Sequence, residues 1–375
     1  MRIDVDASQA RRLALSLLGM SLLGGTAAAT PLFQGLGDLP GGAFESVAND
    51  LSVDGTAVVG RSEGADGDEA FLWSRATGMG SLGPGEAFAV SGAGGAVAGR
   101  GFRWNAVEGR VDLPRAPFAS SSGFAFGLDM TIDGSKIVGT DTSPPFSQTA
   151  ALWQASNGFA FQLVSPPADA GFEIDRASLV GVSADGSLSV LTGASELGFL
   201  RGSFLLDSIG GSMPIGDFAQ SVDARAIAAD GSLVVGQFRN GNFDHEAFVW
   251  SPSFALVGLG DLPDGDFDSD ALAVAPNGTV VGRAHDAAGV EAFVWDPMRG
   301  MRSLHDDLVG RGVDLTGWTL QDATGISFDG QTIVGNGIDP DGNPEAWIVV
   351  LPEPGTAATL ALGLAVLART RRRRR

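Results

Sequence analysis

The sequence predicts an all-β protein, a β-propeller of seven blades, on the basis of three repeated features. A short turn of the Asp-Gly type recurs along the chain, followed in most copies by a β-branched pair and a glycine. A strand that usually carries aromatic residues follows each turn, and a further short strand separates successive copies. Four strands per unit, in units of roughly 40–50 residues, are typical of propeller blades. An open β-solenoid or a pair of β-sandwiches is the alternative architecture.

The turns can be placed at seven positions. They are Asp54-Gly55, Gly94-Gly95, Asp133-Gly134, Asp185-Gly186, Asp230-Gly231, Asn277-Gly278 and Asp329-Gly330. The second copy is degenerate, since glycine replaces the aspartate. Asp-Gly between two apolar runs predicts a β-hairpin with a type I′ turn, in which both central residues have positive φ.

The strand after each turn carries the aromatic residues. These strands contain Phe71-Leu72-Trp73, Phe102-Arg103-Trp104, Ala151-Leu152-Trp153, Phe204-Leu205-Leu206, Phe248-Val249-Trp250, Phe293-Val294-Trp295 and Trp347-Ile348-Val349. Residues two apart lie on the same face of a strand. The pattern therefore favours packing between blades over a tract of ligand-binding rings. Trp318 is the only tryptophan outside these positions, so exposed rings that could stack on a sugar are expected to be scarce.

A fourth strand follows six of the seven copies. The predicted segments are Met79–Leu82, Arg110–Leu113, Phe159–Gln162, Ser212–Ile215, Ala255–Gly258 and Met301–Leu304. The seventh copy lacks one, because the chain reaches Pro352 directly after its aromatic strand. The segment Leu32–Pro40 resembles Val257–Pro263, since both contain Leu-Gly-Asp-Leu-Pro. We therefore expect the N-terminal strand to complete the last blade.

Composition limits the possible partners. The chain of 375 residues has 44 acidic and 24 basic residues, a net charge of −20, and no cysteine. A nucleic-acid partner is not expected, because binding to phosphates requires a basic face. Disulfides and thiolate metal sites are impossible without cysteine. Hydrophobic residues make up 44% of the chain, which argues against disorder despite the many glycines.

The N-terminus predicts export. Arg11 and Arg12 precede an apolar run from Leu13 to Leu23, and small residues follow up to Ala29. A basic region, an apolar region and small residues at the cleavage site define a secretory signal peptide. We expect residues 1–29 to be this peptide, with cleavage near Ala27 and Ala29. A short buried helix is the alternative, and the motif around the paired arginines is incomplete for the twin-arginine route.

The C-terminus has three successive parts. Pro352, Glu353 and Pro354 precede an apolar segment at 356–368, and Arg371–Arg375 end the chain. The apolar helix expected there is shorter than the roughly 20 residues that span a bilayer, but terminal arginines can extend to the membrane surface. The tail, 351–375, resembles the PEP-CTERM sorting signal of Gram-negative bacteria that make exopolysaccharide. That resemblance implies recognition and cleavage by an exosortase, with this segment as the transmembrane helix. A basic arm for nucleic acid is the rival interpretation.

The propeller is expected at 30–350, and over about residues 35–350 its repeats resemble the HAF repeat of bacterial extracellular proteins. Its units contain Leu-Gly, a small-residue turn, Val-Val-Gly and His-Ala-Phe, which match segments such as Val234-Val235-Gly236 and Ala247-Phe248. This chain departs from the repeat at the histidine. The residues in its place are Glu69, Glu246, Glu291 and Glu345. Any role of the family histidine is therefore not carried over.

No catalytic or cofactor-binding residue is predicted. His245, His285 and His305 lack the spacing of a zinc site, and neither a Gly-x-Ser-x-Gly motif nor a P-loop is present. Calcium is the one ion for which ligands can be named, since it prefers carboxylate oxygens. The weak candidates are Asp264, Asp266, Asp268, Asp270, Asp339, Asp341 and Glu345. Neither acidic segment matches a complete twelve-residue calcium loop, so solvated turns are the alternative.

The expected function is that of a non-enzymatic interaction scaffold on the cell surface or in the extracellular matrix, associated with exopolysaccharide or a biofilm. A carbohydrate-binding propeller is one alternative. A polysaccharide hydrolase or lyase is another, and it would need two carboxylates that converge in the central channel. The expected partners are the exosortase, the inner membrane during transit, and exopolysaccharide or other surface proteins. Recognition is expected in the loops that differ between copies, such as Asn240–His245.

Overall fold

The computed structural model describes residues 31–117, 123–143, 147–168, 172–195, 200–217 and 220–352. The signal peptide expected at 1–29, the sorting residues Glu353 and Pro354, and the apolar helix expected after them lie outside the described residues. Within them the chain is a β-propeller of seven blades, as the sequence predicts. No helix in this described part is long and apolar enough to cross a bilayer.

Each blade is an antiparallel sheet of four strands, and β1 (Leu32–Gly35) precedes all of them in the chain. Blade 1 contains β2 (Gly41–Leu51), β3 (Ala57–Gly64), β4 (Gly67–Ser74) and β5 (Gly78–Pro84). Blade 2 contains β6 (Ala87–Val90), β7 (Ala96–Gly99), β8 (Phe102–Asn105) and β9 (Gly109–Asp112). Blade 3 contains β10 (Ala125–Met130), β11 (Lys136–Ser143), β12 (Ser147–Gln154) and β13 (Gln162–Leu163).

The remaining blades follow in chain order. Blade 4 contains β14 (Arg176–Val182), β15 (Leu188–Ala194), β16 (Arg201–Asp207) and β17 (Ser212–Ile215). Blade 5 contains β18 (Asp223–Ile227), β19 (Val234–Arg239), β20 (His245–Ser251) and β21 (Phe254–Gly258). Blade 6 contains β22 (Ser269–Val274), β23 (Val280–Asp286), β24 (Gly289–Asp296) and β25 (Gly300–Ser303). Blade 7 contains β26 (Thr319–Ile326), β27 (Thr332–Ile338) and β28 (Pro344–Val350).

Strand β1 completes blade 7, which confirms the predicted closure. It pairs antiparallel with β28, so that Phe33 lies opposite Val349 and Gly35 opposite Trp347. The ring of Phe33 meets the ring of Trp318 edge-on, with 5.1 Å between centroids. Trp318 therefore packs against the closing strand and is not a free platform.

The core consists of the interfaces between blades. Among the described residues, apolar side chains form seven clusters, one at each interface. Phe71 and Trp73 are both buried in the cluster between blades 7 and 1, which confirms that residues two apart share a face. Helix α1 (Leu304–Gly310) follows β25, and it buries Leu304 and Leu308 between blades 6 and 7.

A bulge in every innermost strand explains the repeated glycine. The register of the innermost strand shifts by one residue at the same place in all seven blades. The glycine opposite this bulge is present in six blades, as Gly60, Gly99, Gly139, Gly236, Gly282 and Gly335. A Cβ atom there would lie 1.8 to 2.2 Å from a carbonyl oxygen of the bulged strand, so only glycine fits.

The hairpin turns are not of type I′, and that prediction is wrong. In the six Asp-Gly or Asn-Gly turns only the glycine has positive φ, for example +74° at Gly55, whereas in the degenerate second copy Ala93 (+55°) and Gly94 (+71°) both have it. The Gly55 N–H donates to the Ser52 carbonyl at 2.8 Å, and the Asp54 carboxylate accepts from the Ser52 hydroxyl at 2.7 Å. Because Ser52 pairs with Ala57, the loop has four residues, a length that favours type I turns.

The fourth strand of blade 3 is shorter and later than predicted. It covers only Gln162–Leu163, not Phe159–Gln162. A single turn of 3₁₀ helix at Ala155–Asn157 and a left-handed Gly158 use the residues before it. The other five predicted fourth strands lie where the sequence places them.

Candidate functional site

The central channel is the part of the molecule in which blades differ from one another. The bulged residues occupy equivalent positions on the innermost strands, and each is half-buried. They are Asn49, Phe88, Leu128, Val180, Arg225, Leu272 and Thr324. The residues that follow them are Asp50, Ala89, Asp129, Gly181, Ala226, Ala273 and Gly325. Two blades therefore place a carboxylate where the other five have alanine or glycine.

Asp50 and Asp129 link neighbouring blades through identical contacts. One oxygen of Asp50 accepts the N–H of Leu51 at 2.8 Å, and the other accepts the N–H of Val90 in blade 2 at 2.8 Å. Asp129 accepts the N–H of Met130 at 2.7 Å and that of Val182 in blade 4, also at 2.7 Å. Each carboxylate thus satisfies two backbone donors, one of them across a blade interface.

Asp50 and Asp129 are both half-buried in the channel wall. Burial raises the pKa of Asp129 to about 7. Burial raises the pKa of Asp50 well above its usual range, and the charge of Asp129 raises it further. The backbone N–H donors act in the opposite direction because they stabilise the charged form, but burial dominates. Near neutral pH Asp129 is therefore only partly ionised, whereas an exposed aspartate would be fully ionised.

The two carboxyl groups border a cavity of about 100 Å³ inside the channel. Every blade contributes to its lining. The apolar lining residues include Val53, Val90, Met130, Val182, Ala229, Val274 and Ile326. Pockets that bind small molecules usually measure about 300–1,000 Å³. The cavity is therefore too small for a saccharide, although two acids converge on it.

One end of the channel is narrowed by the hairpin turns themselves. The N–H of Ile132 donates to the Ala184 carbonyl at 3.1 Å, and the N–H of Ala184 donates to the Ala229 carbonyl at 2.7 Å. The same contact joins Phe328 to Val53 at 2.9 Å. These bonds tie turns of adjacent blades together, so this end of the channel is held rigidly.

Arginines and aspartates from blades 4, 5 and 6 form a charged network. Asp223 pairs with Arg201 at 2.5 Å and with Arg225 at 3.5 Å. Asp270 pairs with Arg225 at 3.2 Å and with Arg283 at 3.6 Å. Burial raises the pKa of Asp270, although the charge of Arg225 opposes this. Asp270, one of the calcium candidates, is thus already neutralised by arginine.

The other calcium candidates lie in separate environments. Asp264 and Asp266 are exposed on the segment before β22, whereas Asp268 lies beside two histidines, 3.9 Å from His245 and 3.8 Å from His285. No three carboxylate or histidine side chains come together as a metal site among the residues that the structure describes.

The second acidic segment is used in local hydrogen bonds. Asp339 accepts the N–H groups of Asp341 and Asn343, at 2.9 and 2.7 Å. Asp341 is exposed. Burial raises the pKa of Glu345, which accepts the Gly37 N–H at 2.8 Å. Asp339 therefore caps a turn, and Glu345 stabilises the closure of blade 7.

The four glutamates that replace the repeat's histidine share one structural role. Glu69 accepts the hydroxyl of Ser81, and Glu291 accepts that of Ser303, each on the neighbouring outer strand. In blades 5 and 7 glycine replaces that serine, and the carboxylate reaches a backbone N–H two residues later. Glu246 accepts the Gly260 N–H at 3.1 Å, as Glu345 does that of Gly37. All four join the third strand of a blade to its outer strand.

Two of the three histidines lie on strands. His245 begins β20, and His285 lies within β23. Both lie beside Asp268, although they belong to different blades. The sequence did not indicate that they are close, because their proximity depends on how the two blades pack. His305 lies on α1, 3.5 Å from Asp306.

Asp50 and Asp129 were missed at the level of sequence. Each is an isolated acid in an apolar strand, and no motif marks such a residue. An alignment of the seven internal copies would have found them, because the other copies carry only alanine or glycine at this position.

No protein-family model and no curated protein matches the sequence. Solved structures do resemble it. The β-propeller domain of the trilobed protease from Pyrococcus furiosus is 10% identical, with a TM-score of 0.54 over 81% of this chain and 93% of that chain. A puromycin-hydrolyzing peptidase from Mycobacterium tuberculosis is 12% identical, with a TM-score of 0.53 over 80% of this chain and 51% of that chain. U3-55K is 12% identical, with a TM-score of 0.50 over 85% of this chain and 98% of that chain. At such identities these likenesses establish the β-propeller fold and nothing about activity.

Proposed function

We propose that this protein is a non-enzymatic interaction scaffold that is exported, sorted by an exosortase at Pro352-Glu353-Pro354, and associated with exopolysaccharide at the cell surface or in the matrix. The observation that carries the proposal is the state of the channel. Its cavity of about 100 Å³ admits no sugar, and all four oxygens of its two acids already accept backbone N–H groups. Such acids stabilise a rigid platform.

The proposed export and sorting are supported by the sequence alone. The signal peptide at 1–29 and the three-part tail at 351–375 are both expected of an exosortase substrate. The test is fractionation of an epitope-tagged protein with and without Glu353→Ala. The unaltered protein should be recovered at the surface or in the medium, and the variant should stay in the membrane fraction. Recovery of both from the cytosol would overturn the proposal.

A polysaccharide hydrolase or lyase is the second candidate, because Asp50 and Asp129 do converge in the channel. Incubation with neutral and acidic polysaccharides, followed by a reducing-end assay, distinguishes it from a scaffold. Turnover that Asp129→Asn abolishes would favour the enzyme. The scaffold proposal expects no turnover by either protein.

A further inference from the structure

A groove lies on blade 1, on the face that carries the turns between the first and second strands of each blade. Its volume is about 810 Å³, within the usual range of small-molecule sites. Blade 1 contributes Leu72 and Leu82, blade 2 contributes Trp104, and blade 7 contributes Ile348 and Val350. This is the face opposite the loops in which the sequence predicts recognition.

The shortness of blade 2 explains the groove. All four strands of blade 2 have four residues, whereas the strands of blade 1 have 7 to 11. The smaller blade covers less of its neighbour, so Leu72 remains only partly buried. Trp104, on the third strand of blade 2, is also half-buried, whereas the equivalent Trp153 in blade 3 is fully buried. Trp104 is therefore an aromatic core residue that has become part of a surface.

The lining combines an aromatic and aliphatic floor with hydroxyl groups. The hydroxyl-bearing residues are Thr56, Ser74, Thr77, Ser81 and Thr332. Several of these hydroxyl protons are used within the protein: Thr56 donates to Asp54, Ser81 donates to Glu69, and the hydroxyls of Ser74 and Thr77 share one hydrogen bond of 2.7 Å. Since each hydroxyl oxygen has two acceptor positions, these groups can still accept hydrogen bonds from a ligand. Arg75 is the single charged residue of the lining. The groove can therefore bind a molecule that has one apolar face and several hydroxyls.

We infer that this groove binds a neutral saccharide, with the ring of Trp104 stacked on the C–H face of one sugar and the hydroxyls bonded to its edge. This inference rests on the proposed association with exopolysaccharide, and it names the site and the ligand class. An acidic saccharide is disfavoured, because a net charge of −20 repels anions and the groove offers one arginine. A purely hydrophobic ligand would leave the free acceptor positions of these hydroxyls without a donor.

The test is titration of the folded propeller with neutral cello-oligosaccharides, followed by tryptophan fluorescence and calorimetry. Trp104→Ala should weaken binding about tenfold or more, as expected for loss of one stacked ring. Trp295→Ala is the matched control, since Trp295 is the half-buried counterpart in blade 6 and lies outside the groove. Equal binding by both variants, or stronger binding of glucuronate oligomers than of neutral ones, would overturn the inference.

A second variant keeps the test decisive if Trp104→Ala fails to fold. Ala76 lies in the exposed turn between β4 and β5 and lines the groove, so Ala76→Arg should block it without disturbing the core. We expect an unchanged melting temperature and loss of binding. Co-sedimentation with native exopolysaccharide separates the two proposals. If the unaltered protein and both groove variants pellet equally, the protein associates with exopolysaccharide but the groove is not the binding site. If the unaltered protein neither pellets nor binds cello-oligosaccharides, both fail.

Discussion

Blades 6 and 7 are built from the same local features but are completed in different ways. In each, a glycine of the second strand lies opposite an aromatic residue of the third, Gly282 with Phe293 and Gly335 with Trp347. The outer strand of blade 6 follows its third strand directly, whereas that of blade 7 comes from the other end of the chain. The repeat is therefore sufficient for a blade but does not by itself close the ring.

The closure depends on contacts outside the repeat. Phe33 lies 5.1 Å from Trp318 and 6.0 Å from Trp347, between ring centroids. Glu345 accepts the backbone N–H of Gly37, just after the closing strand, whereas Glu291 bonds the side chains of Ser303 and Asp286 within blade 6. Four predictions test the difference between the features that the blades have in common and the contacts that occur only where blade 7 is closed.

The largest effect is expected from the glycine that both blades share. A Cβ atom on Gly335 would lie 2.0 Å from the Asp322 carbonyl oxygen and 2.5 Å from the Trp347 ring, and one on Gly282 would lie 2.1 Å from the Asp270 oxygen. Because backbone must move, Gly335→Ala and Gly282→Ala should each cost more than about 3 kcal/mol in urea unfolding. Gly80→Ala is the control, since its nearest contact is an ordinary 3.7 Å. Stabilities within about 0.5 kcal/mol of the unaltered protein would refute the steric explanation.

Removal of the closing strand should come next. Deletion of residues 31–38 exposes the edge of β28 and removes Phe33 from the interface. The melting temperature should fall by at least about 5 °C, because the deletion also removes Leu36, which is 6% exposed, and one buried leucine alone contributes about 1.5–3 kcal/mol. Leu32→Ser, at a residue that is 48% exposed, serves as the control and should change little. An unchanged melting temperature after the deletion would show that β1 does not close the ring.

The third prediction concerns the pH dependence of stability, which we attribute to the two aspartates on the innermost strands of blades 1 and 3. Blades 6 and 7 carry Ala273 and Gly325 where those blades carry Asp50 and Asp129. Since the pKa of each aspartate is raised in the folded state, the unfolded chain loses its protons first as the pH rises. Stability should therefore fall between about pH 4 and the folded pKa of Asp129, about 7, by about 1.4 kcal/mol per unit of raised pKa.

Calorimetric melting temperatures between about pH 5 and about pH 8 measure this slope. Asp129→Asn should flatten it. Asp185→Asn should not, because hydrogen bonds, first that from Ser183, lower the pKa of Asp185 to about 2, outside this window. Parallel slopes in all three proteins would remove Asp129 as the cause.

The smallest effect separates two equivalent glutamates. Glu345→Ala leaves the Gly37 N–H without its acceptor at the closure, so it should cost about 1–2 kcal/mol in urea unfolding. Glu291→Ala should cost less, because water can bond the Ser303 hydroxyl that it releases. Glu345→Gln keeps an accepting oxygen and should be nearly neutral. Equal losses of unfolding free energy at both positions would mean that Glu345 contributes no more to stability at the closure than Glu291 does in blade 6.

Most of the fold could be predicted from the sequence because each blade repeats a local rule. The glycine of Val-Val-Gly, the aromatic strand and the shared Leu-Gly-Asp-Leu-Pro segment each report a contact with a neighbouring strand. The turn type failed because the Ser52 and Asp54 side chains, not the Asp-Gly pair alone, determine the loop. That failure is local and does not alter the topology.

The sequence by itself determined the number of blades, the closing strand and the expected address of the protein. Only the tertiary structure decided which side chains meet. Asp50 and Asp129 are about 80 residues apart in the chain, yet ring closure brings both to one cavity. Trp104 occupies the same place in its repeat as the buried Trp153, but the short blade 2 leaves it half-buried. Such encounters depend on the arrangement of whole blades around an axis, which the repeat of a single blade does not encode.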